Sequence, residues 1–206
     1  MSEQGFTAVT LPTGLATSRP LYAYVLGESD ESDSTAASVL ANGQGEYEAN
    51  RALLRWLRAY NERQPAERKV RVYGFELEGA ENADAARSIE AALGSLARLD
   101  RAMADSLRRE LGPTMALLDA NTFSELPRGA RDEASTKVHD FTDVIRRARP
   151  FHSAAGARDE YEWALRQATT AEQSLAYLRA RPAKSVRRAG ARSAPYWNYA
   201  SVAEAE

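Results

Sequence analysis

The sequence contains no cysteine among its 206 residues, which excludes disulfide bonds, thiolate nucleophiles and zinc sites with cysteine ligands. It has only two histidines, His139 and His152. Neither has a partner at the spacing of a metal-binding motif such as H-E-x-x-H. We interpret both first as structural or exposed side chains and second as functional groups, and we expect no metal and no other cofactor.

Long apolar runs are also lacking. No stretch approaches the roughly 20 residues of a membrane span, and the first residues do not form a basic segment followed by an apolar one, as in a secretion signal. We therefore expect a cytoplasmic protein without a membrane partner. The net charge of −2 gives no reason to expect nucleic acid, and the basic run Arg179–Arg192 has no interleaved aromatic residues, so we interpret it as a solvated loop.

The common catalytic and phosphate-binding motifs are absent. The sequence contains no G-x-S-x-G, no G-x-x-x-x-G-K-[ST] and no G-x-G-x-x-G. An acidic cluster lacks the glycine and the closing glutamate of a calcium-binding loop, so we predict a solvated loop for Glu28, Asp30, Glu31 and Asp33.

Two segments have the apolar, β-branched composition of buried strands, one near residues 6–11 and one near residues 70–77. The first is expected to end at Pro12. Between them, Leu53, Leu54, Trp56, Leu57 and Tyr60 predict a helix over residues 47–60. Strand, helix and strand in this order indicate a partial α/β core over residues 1–79.

Residues 80–181 predict a helical lobe, and residues 182–206 a loop or tail. One long helix is expected from Asn82 to Leu111, ended by Gly112 and Pro113. A turn near Pro127 to Gly129 precedes a helix carrying Ala134 to Ala148, and a last helix carries Tyr161 to Leu178. The predicted fold class is α/β, with a partial sheet flanked by helices, a large helical lobe and mostly helical residues.

The two predicted strands raise two questions: the role of Glu76 and the pairing of the outer sheet edges. Glu76 lies at the carboxyl end of the second strand, where α/β sheets place ligand-contacting groups. It could act as a base or orient a water, or it could cap the following turn. A two-stranded sheet has unpaired outer edges, which predicts self-association or pairing with another chain.

Three segments together resemble the erythromycin esterase family: "SRPLYAYVLGESDES", "GEYEANRALLRWLRAYNERQPAERKVRVYGFELEG" and, more weakly, "YEWALRQATTAEQSLAYLRAR". The middle segment is similar to a family pattern of a helix A-N-x-x-L-x-x-W-M-R-x-Y-N, a polar loop and a strand ending F-Y-G-F-D. The resemblance implies a hydrolase of macrolide lactones or other small-molecule esters. It also implies metal-independent chemistry, in which a histidine activates water and glutamates and an arginine position it.

The sequence also departs from the family pattern at positions that carry the family's chemistry. It implies that Glu76 aligns with the family's aspartate after Y-G-F, and that Pro12 stands where members carry a glutamate. It implies substrate contacts for Arg19 and Tyr73. The family's G-E-x-x-H-G and A-H-N-type histidine motifs would fall before residue 1 and after residue 206. We therefore expect a truncated member with little activity of its own; the alternatives are a hydrolase using His139 or His152, and an interaction module completed by a partner chain.

Overall fold

The computed structural model describes residues 5–76, 85–119, 122–148 and 155–180. These residues form two compact units, the first within residues 5–76 and the second within residues 85–180. Three sequence predictions lie outside the described residues: His152, the helix start at Asn82, and the loop or tail over residues 182–206.

A parallel pair of strands forms the centre of the first unit. Strand β1 runs from Ala8 to Gly14 and strand β2 from Arg71 to Glu76. The register pairs Ala8 with Arg71 and continues to Leu11 opposite Gly74. Among the described residues, each strand pairs only with the other.

Pro12 does not end the first strand, so that prediction was wrong. β1 continues to Gly14, which pairs with Glu76, and the register shifts between Leu11 and Gly14. Pro12 therefore lies in a β-bulge. Proline has no backbone N–H to donate and is tolerated in strands at such positions.

Three α-helices connect the strands: α1 (Arg19–Leu26), α2 (Asp33–Ala37) and α3 (Glu48–Asn61). Two short 3₁₀ helices, Ala41–Glu46 and Ala66–Arg68, lie before and after α3. α3 lies within one residue of its prediction. The loop predicted for Asp33 is wrong, because Asp33 is the first residue of α2. The preceding Ser32 caps this helix: its hydroxyl accepts a hydrogen bond from the Thr35 amide at 3.1 Å. The core of this unit consists of Leu21, Tyr24, Val25, Ala36, Ala37, Leu40, Leu54, Leu57, Val70 and Val72.

A buried amide at the end of α3 fixes the start of β2. Asn61 is completely buried. Its Nδ2 donates to the Val25 carbonyl at 2.9 Å and to the Val70 carbonyl at 2.8 Å, and its Oδ1 accepts from the Val70 amide at 2.7 Å. The Val25 carbonyl belongs to the last turn of α1, where helix carbonyls lack intrahelical partners. One side chain therefore joins α1, α3 and the residue preceding β2.

The second unit consists of four helices: α4 (Ala85–Ala97), α5 (Arg101–Met115), α6 (Arg128–Arg147) and α7 (Ala155–Ala180). α7 packs against both α4 and α6, and α4 also packs against α5. The apolar face of each helix contributes to one core, whose larger members are Ile89, Leu93, Leu96, Leu107, Leu111, Leu118, Phe123, Val138, Phe141, Ile145, Tyr161, Leu175 and Leu178.

The single helix predicted up to Leu111 is two helices, α4 and α5. The chain breaks after Ala97, and Asp100 caps α5 by accepting a hydrogen bond from the Met103 amide at 2.9 Å. The apolar pattern hides this break because both helices pack against the same core. Pro113 was also wrongly taken as a stop: it lies in the last turn of α5, which ends at Met115.

The turn predicted near Pro127 to Gly129 is mostly helix. α6 begins at Arg128, and Pro127 is its extended N-cap residue. Gly129 therefore lies in the first turn of α6, and the proline stands at the start of the helix, where its missing N–H costs no intrahelical hydrogen bond.

Candidate functional site

The carboxyl ends of β1 and β2 lie side by side, because the strands are parallel and Gly14 pairs with Glu76. In open α/β sheets this edge is where ligands bind. We refer to it as the carboxyl edge, comprising the bulge at Pro12 and Thr13, Gly14 and Glu76.

Glu76 is the ionisable group of the carboxyl edge. Its side chain is half-buried, and burial raises the pKa of its carboxyl above the usual value. A raised pKa brings a carboxyl group closer to the pH at which it can both accept and donate a proton. Its place at the strand end is confirmed, whereas its role stays a prediction, since the following turn lies outside the described residues.

Arg19 and Tyr73 come together through a third residue, Tyr22. The Arg19 guanidinium lies 5.5 Å from the centre of the Tyr22 ring, and the rings of Tyr22 and Tyr73 are 5.7 Å apart with a tilt of 43°. Sequence reasoning missed Tyr22, although its position three residues after Arg19 at the start of α1 places both on one helix face. Tyr73 is only 5% exposed, so it forms a packed wall of this cluster; its predicted substrate contact stays a prediction.

The two strand backbones approach very closely at the carboxyl edge. A Cβ atom on Gly74 would lie 2.4 Å from the Gly14 carbonyl oxygen and 2.5 Å from that of Thr13. The residues after the bulge are tied down by side chains: the Thr13 hydroxyl donates to the Val39 carbonyl, and the Thr17 hydroxyl donates to the Gly14 carbonyl at 3.1 Å. The edge is thus held by backbone contact and threonine hydrogen bonds, with no acid–base group at Pro12.

His139 lies in the second unit, on α6. Its Nδ1 is 2.9 Å from Glu172 Oε1 on α7, and its Nε2 is 3.8 Å from Asp143 Oδ2. The side chain is 63% exposed. It forms a surface link between α6 and α7, as the structural interpretation predicts.

A groove of about 140 Å³ beside His139 does not provide a nucleophile. It is lined by Ser135, His139, Glu172, Leu175, Ala176 and Arg179. The Ser135 hydroxyl donates to the Arg131 carbonyl at 2.8 Å, and the free edge of the imidazole faces Asp143, one helical turn beyond His139, whereas Ser135 lies one turn before it. These residues do not have the relay geometry of a serine–histidine–acid triad.

The described part of the chain contains no group of three or more His, Cys, Asp or Glu side chains that could hold a metal ion. None of its helices is long and apolar enough to cross a membrane.

A comparison of the sequence with models of known protein families identifies the family of this chain. The model of the erythromycin esterase family matches residues 1–199. The chain belongs to the erythromycin esterase family. No curated protein matches it in a sequence comparison.

Solved structures show the fold of this family member. It is similar to a protein from Bacillus cereus, with a TM-score of 0.63 and 20% identity, and to a protein described as a succinoglycan biosynthesis protein, with a TM-score of 0.63 and 14% identity. It is also similar to the erythromycin esterase EreC, in a histidine-to-asparagine variant and open conformation, with a TM-score of 0.52 and 16% identity. These matches cover 88%, 87% and 84% of this chain but only 42%, 41% and 42% of the three structures. The chain therefore spans less than half the length of the structures it resembles.

Proposed function

We propose that this chain provides one wall of an ester- or lactone-hydrolysing cleft of the erythromycin esterase type. The observation that carries the proposal is the carboxyl of Glu76, half-buried with a raised pKa, at the edge where the two parallel strands end together. Membership of the family supports the substrate class, a small-molecule ester or macrolide lactone.

Each residue of the site has a distinct part in this proposal. Glu76 accepts a proton from the attacking water or orients that water as its oxygen bonds to the acyl carbon. The bond between the acyl carbon and the alkoxy oxygen then breaks, and the leaving oxygen takes up a proton from Glu76 or from solvent. The Arg19 cation, beside Tyr22, attracts the oxygen on which negative charge develops. The packed rings of Tyr22 and Tyr73 are almost completely buried and hold the Arg19 side chain in place from behind.

Turnover by these 206 residues alone is not part of the proposal. Neither histidine of the sequence falls within the first unit, and His139 is engaged with Glu172. Loss of a general base reduces rates by about 10²–10⁴-fold, and Pro12 supplies no substitute. The proposed cleft therefore needs an acid–base group from a further stretch of polypeptide.

A second candidate is a scaffold completed by another chain. It is favoured by the sheet, in which each described strand pairs only with the other, because two-stranded sheets are marginally stable without further pairing. A strand added to an outer edge would extend the sheet by main-chain hydrogen bonds.

Binding of erythromycin and of a simple aryl ester, followed by NMR titration, tests the first proposal. Arg19→Gln is expected to weaken binding about tenfold, the effect of losing one charged contact worth roughly 1.5 kcal/mol. Glu76→Gln is expected to leave binding intact, with Glu67→Gln, a change at an exposed glutamate, as the matched control.

Binding that Arg19→Gln does not weaken, or no binding up to the solubility limit, would contradict the proposal. Ring opening followed by mass spectrometry provides the second readout. Turnover that is lost in His139→Gln would place the chemistry in the second unit instead.

A further inference from the structure

Helix α3 carries a second apolar face in addition to the one that packs in the core. We call this face the apolar stripe; it consists of Ala49, Ala52, Leu53, Trp56, Ala59 and Tyr60. These positions recur at three- and four-residue intervals, as on one side of a helix. The solvent side of such a helix is normally polar, so an entirely apolar second face indicates that something covers it.

The described residues leave the middle of the apolar stripe open. Trp56 is 50% exposed and Leu53 37% exposed. The Trp56 ring stacks on Tyr60, with centroids 5.6 Å apart and planes 22° apart. The Tyr60 side chain also packs against the core of the first unit, so it forms the inner border of the stripe.

We propose that residues 195–206 of the same chain dock along the apolar stripe. These residues lie outside the described part and read PYWNYASVAEAE. Tyr196, Tyr199, Ala200 and Ala203 have the spacing of an apolar helix face, and a proline stands at the favoured first helical position. Twelve residues make a helix of about 18 Å, and the stripe from Ala49 to Tyr60 is about 17 Å long.

Charge supports this occupant. Residues 48–63 contain four arginines and two glutamates, and a positive excess remains after these arginines pair with both glutamates and with Asp33. Residues 195–206 contain two glutamates and no basic residue. The segment is therefore acidic where α3 is basic, and such pairing favours docking in the correct place. The 14 residues between Ala180 and Pro195 can extend to about 46 Å, so a long tether joins the segment to the last described helix.

The size of the apolar stripe favours a tethered segment over a second copy of the chain. Stable interfaces between separate proteins use about 20–30 residues on each side, and the stripe offers six. A segment on the same chain binds at an effective concentration of about millimolar, so a small surface suffices. This inference does not depend on the proposed hydrolase function.

Because the sequence contains no cysteine, pairs of cysteines introduced into the 206-residue chain test the proposal directly by disulfide cross-linking. The two stripe variants pair Ala203→Cys with either Ala49→Cys or Ala59→Cys, because the direction of the segment on α3 is open. The matched control pairs Ala203→Cys with Ala66→Cys, at an exposed alanine outside the stripe.

We expect one stripe pair to form an intrachain disulfide at least about tenfold faster than the control pair, as a raised effective concentration requires. Adding Tyr199→Asp to that pair is expected to reduce its rate to that of the control, while circular dichroism confirms that the helices remain folded. Equal rates for stripe and control pairs would overturn the proposal. Disulfides that form only between chains would overturn it too, and would identify a second copy as the occupant.

Discussion

Asn61 should be among the most sensitive positions of the first unit, although it is neither apolar nor part of the candidate site. It makes three hydrogen bonds of 2.7–2.9 Å to backbone groups of Val25 and Val70. Val25 is completely buried and Val70 is 1% exposed, so water cannot replace the lost partners. Asn61→Ala removes the side-chain amide and leaves these backbone groups without it.

The expected cost follows from the three bonds. A neutral hydrogen bond contributes about 1 kcal/mol net, and a buried group left without a partner costs about 1–3 kcal/mol. We therefore expect Asn61→Ala to lower the free energy of unfolding of the first unit by roughly 3 kcal/mol. Asn61→Asp keeps the acceptor for the Val70 amide but turns a carboxylate towards two carbonyl oxygens, so it should cost at least as much.

Native-state hydrogen exchange of a core amide that does not bond Asn61, such as that of the buried Leu57 within α3, measures this effect within the first unit, whereas a global melt would mix the two units. Asn50→Ala is the matched control, because Asn50 lies on the same helix and donates only one hydrogen bond, to the Gln44 carbonyl at 2.7 Å. Its expected cost is about 1 kcal/mol. An Asn61→Ala protein no less stable than the Asn50→Ala protein would refute the reasoning that this amide joins α1, α3 and β2.

Three further predictions concern the carboxyl edge and the helical unit. Gly74→Ala should cost about 2 kcal/mol or more, as overpacking does, because its Cβ would meet the β1 backbone, whereas Gly94→Ala on α4, with no atom within 4 Å, should stabilise by up to about 1 kcal/mol; native-state hydrogen exchange, followed separately within each unit, measures both effects. Burial raises the pKa of Glu76, so its ionised form destabilises the folded state, and Glu76→Gln should raise the free energy of unfolding at pH 7. That gain should shrink as the pH falls through the folded-state pKa and vanish below about pH 4, where the carboxyl is protonated in both states; a gain that does not change with pH would contradict the burial of this carboxyl. His139→Gln should change the stability of the second unit by no more than about 1 kcal/mol, the range of exposed ion pairs, and a larger loss of protection in native-state hydrogen exchange of α6 and α7 would contradict a surface role.

The sequence predicted the elements of the first unit well where their signal is local. α3 is recognisable because Leu54 and Leu57 repeat at helical spacing, and β2 because its run is almost continuously apolar. The family resemblance, which rests on the same stretch, was confirmed. The elements whose ends depend on contacts elsewhere were predicted less well, since Pro12 ends a strand in isolation but occupies a bulge when β2 lies alongside.

The site was harder to predict than the fold, because its contacts join residues that are distant in sequence. Arg19 and Tyr73 were chosen by resemblance, and only the structure shows that Tyr22 connects them. The partner of His139 is Glu172, 33 residues later on another helix, and no spacing rule links them. Helical periodicity predicts which face a residue occupies, but it does not predict which face of another element lies opposite.

The break between α4 and α5 is a second feature that helical periodicity did not predict. Ile89, Leu93, Leu96, Leu107 and Leu111 are consistent with one continuous helix, and all five are buried in the same core. The chain is interrupted because Asp100 caps the start of α5. In the sequence this break is marked by a single side chain, whereas five apolar residues indicate a continuous helix. A core of packed helices requires only that each apolar face is turned inward, and two shorter helices satisfy that requirement as well as one long helix does. Periodicity therefore predicts what is buried more reliably than it predicts where the backbone turns. The apolar stripe of α3 extends this argument, because its pattern is that of a buried face, and from that pattern we expect burial even though the described residues leave it open.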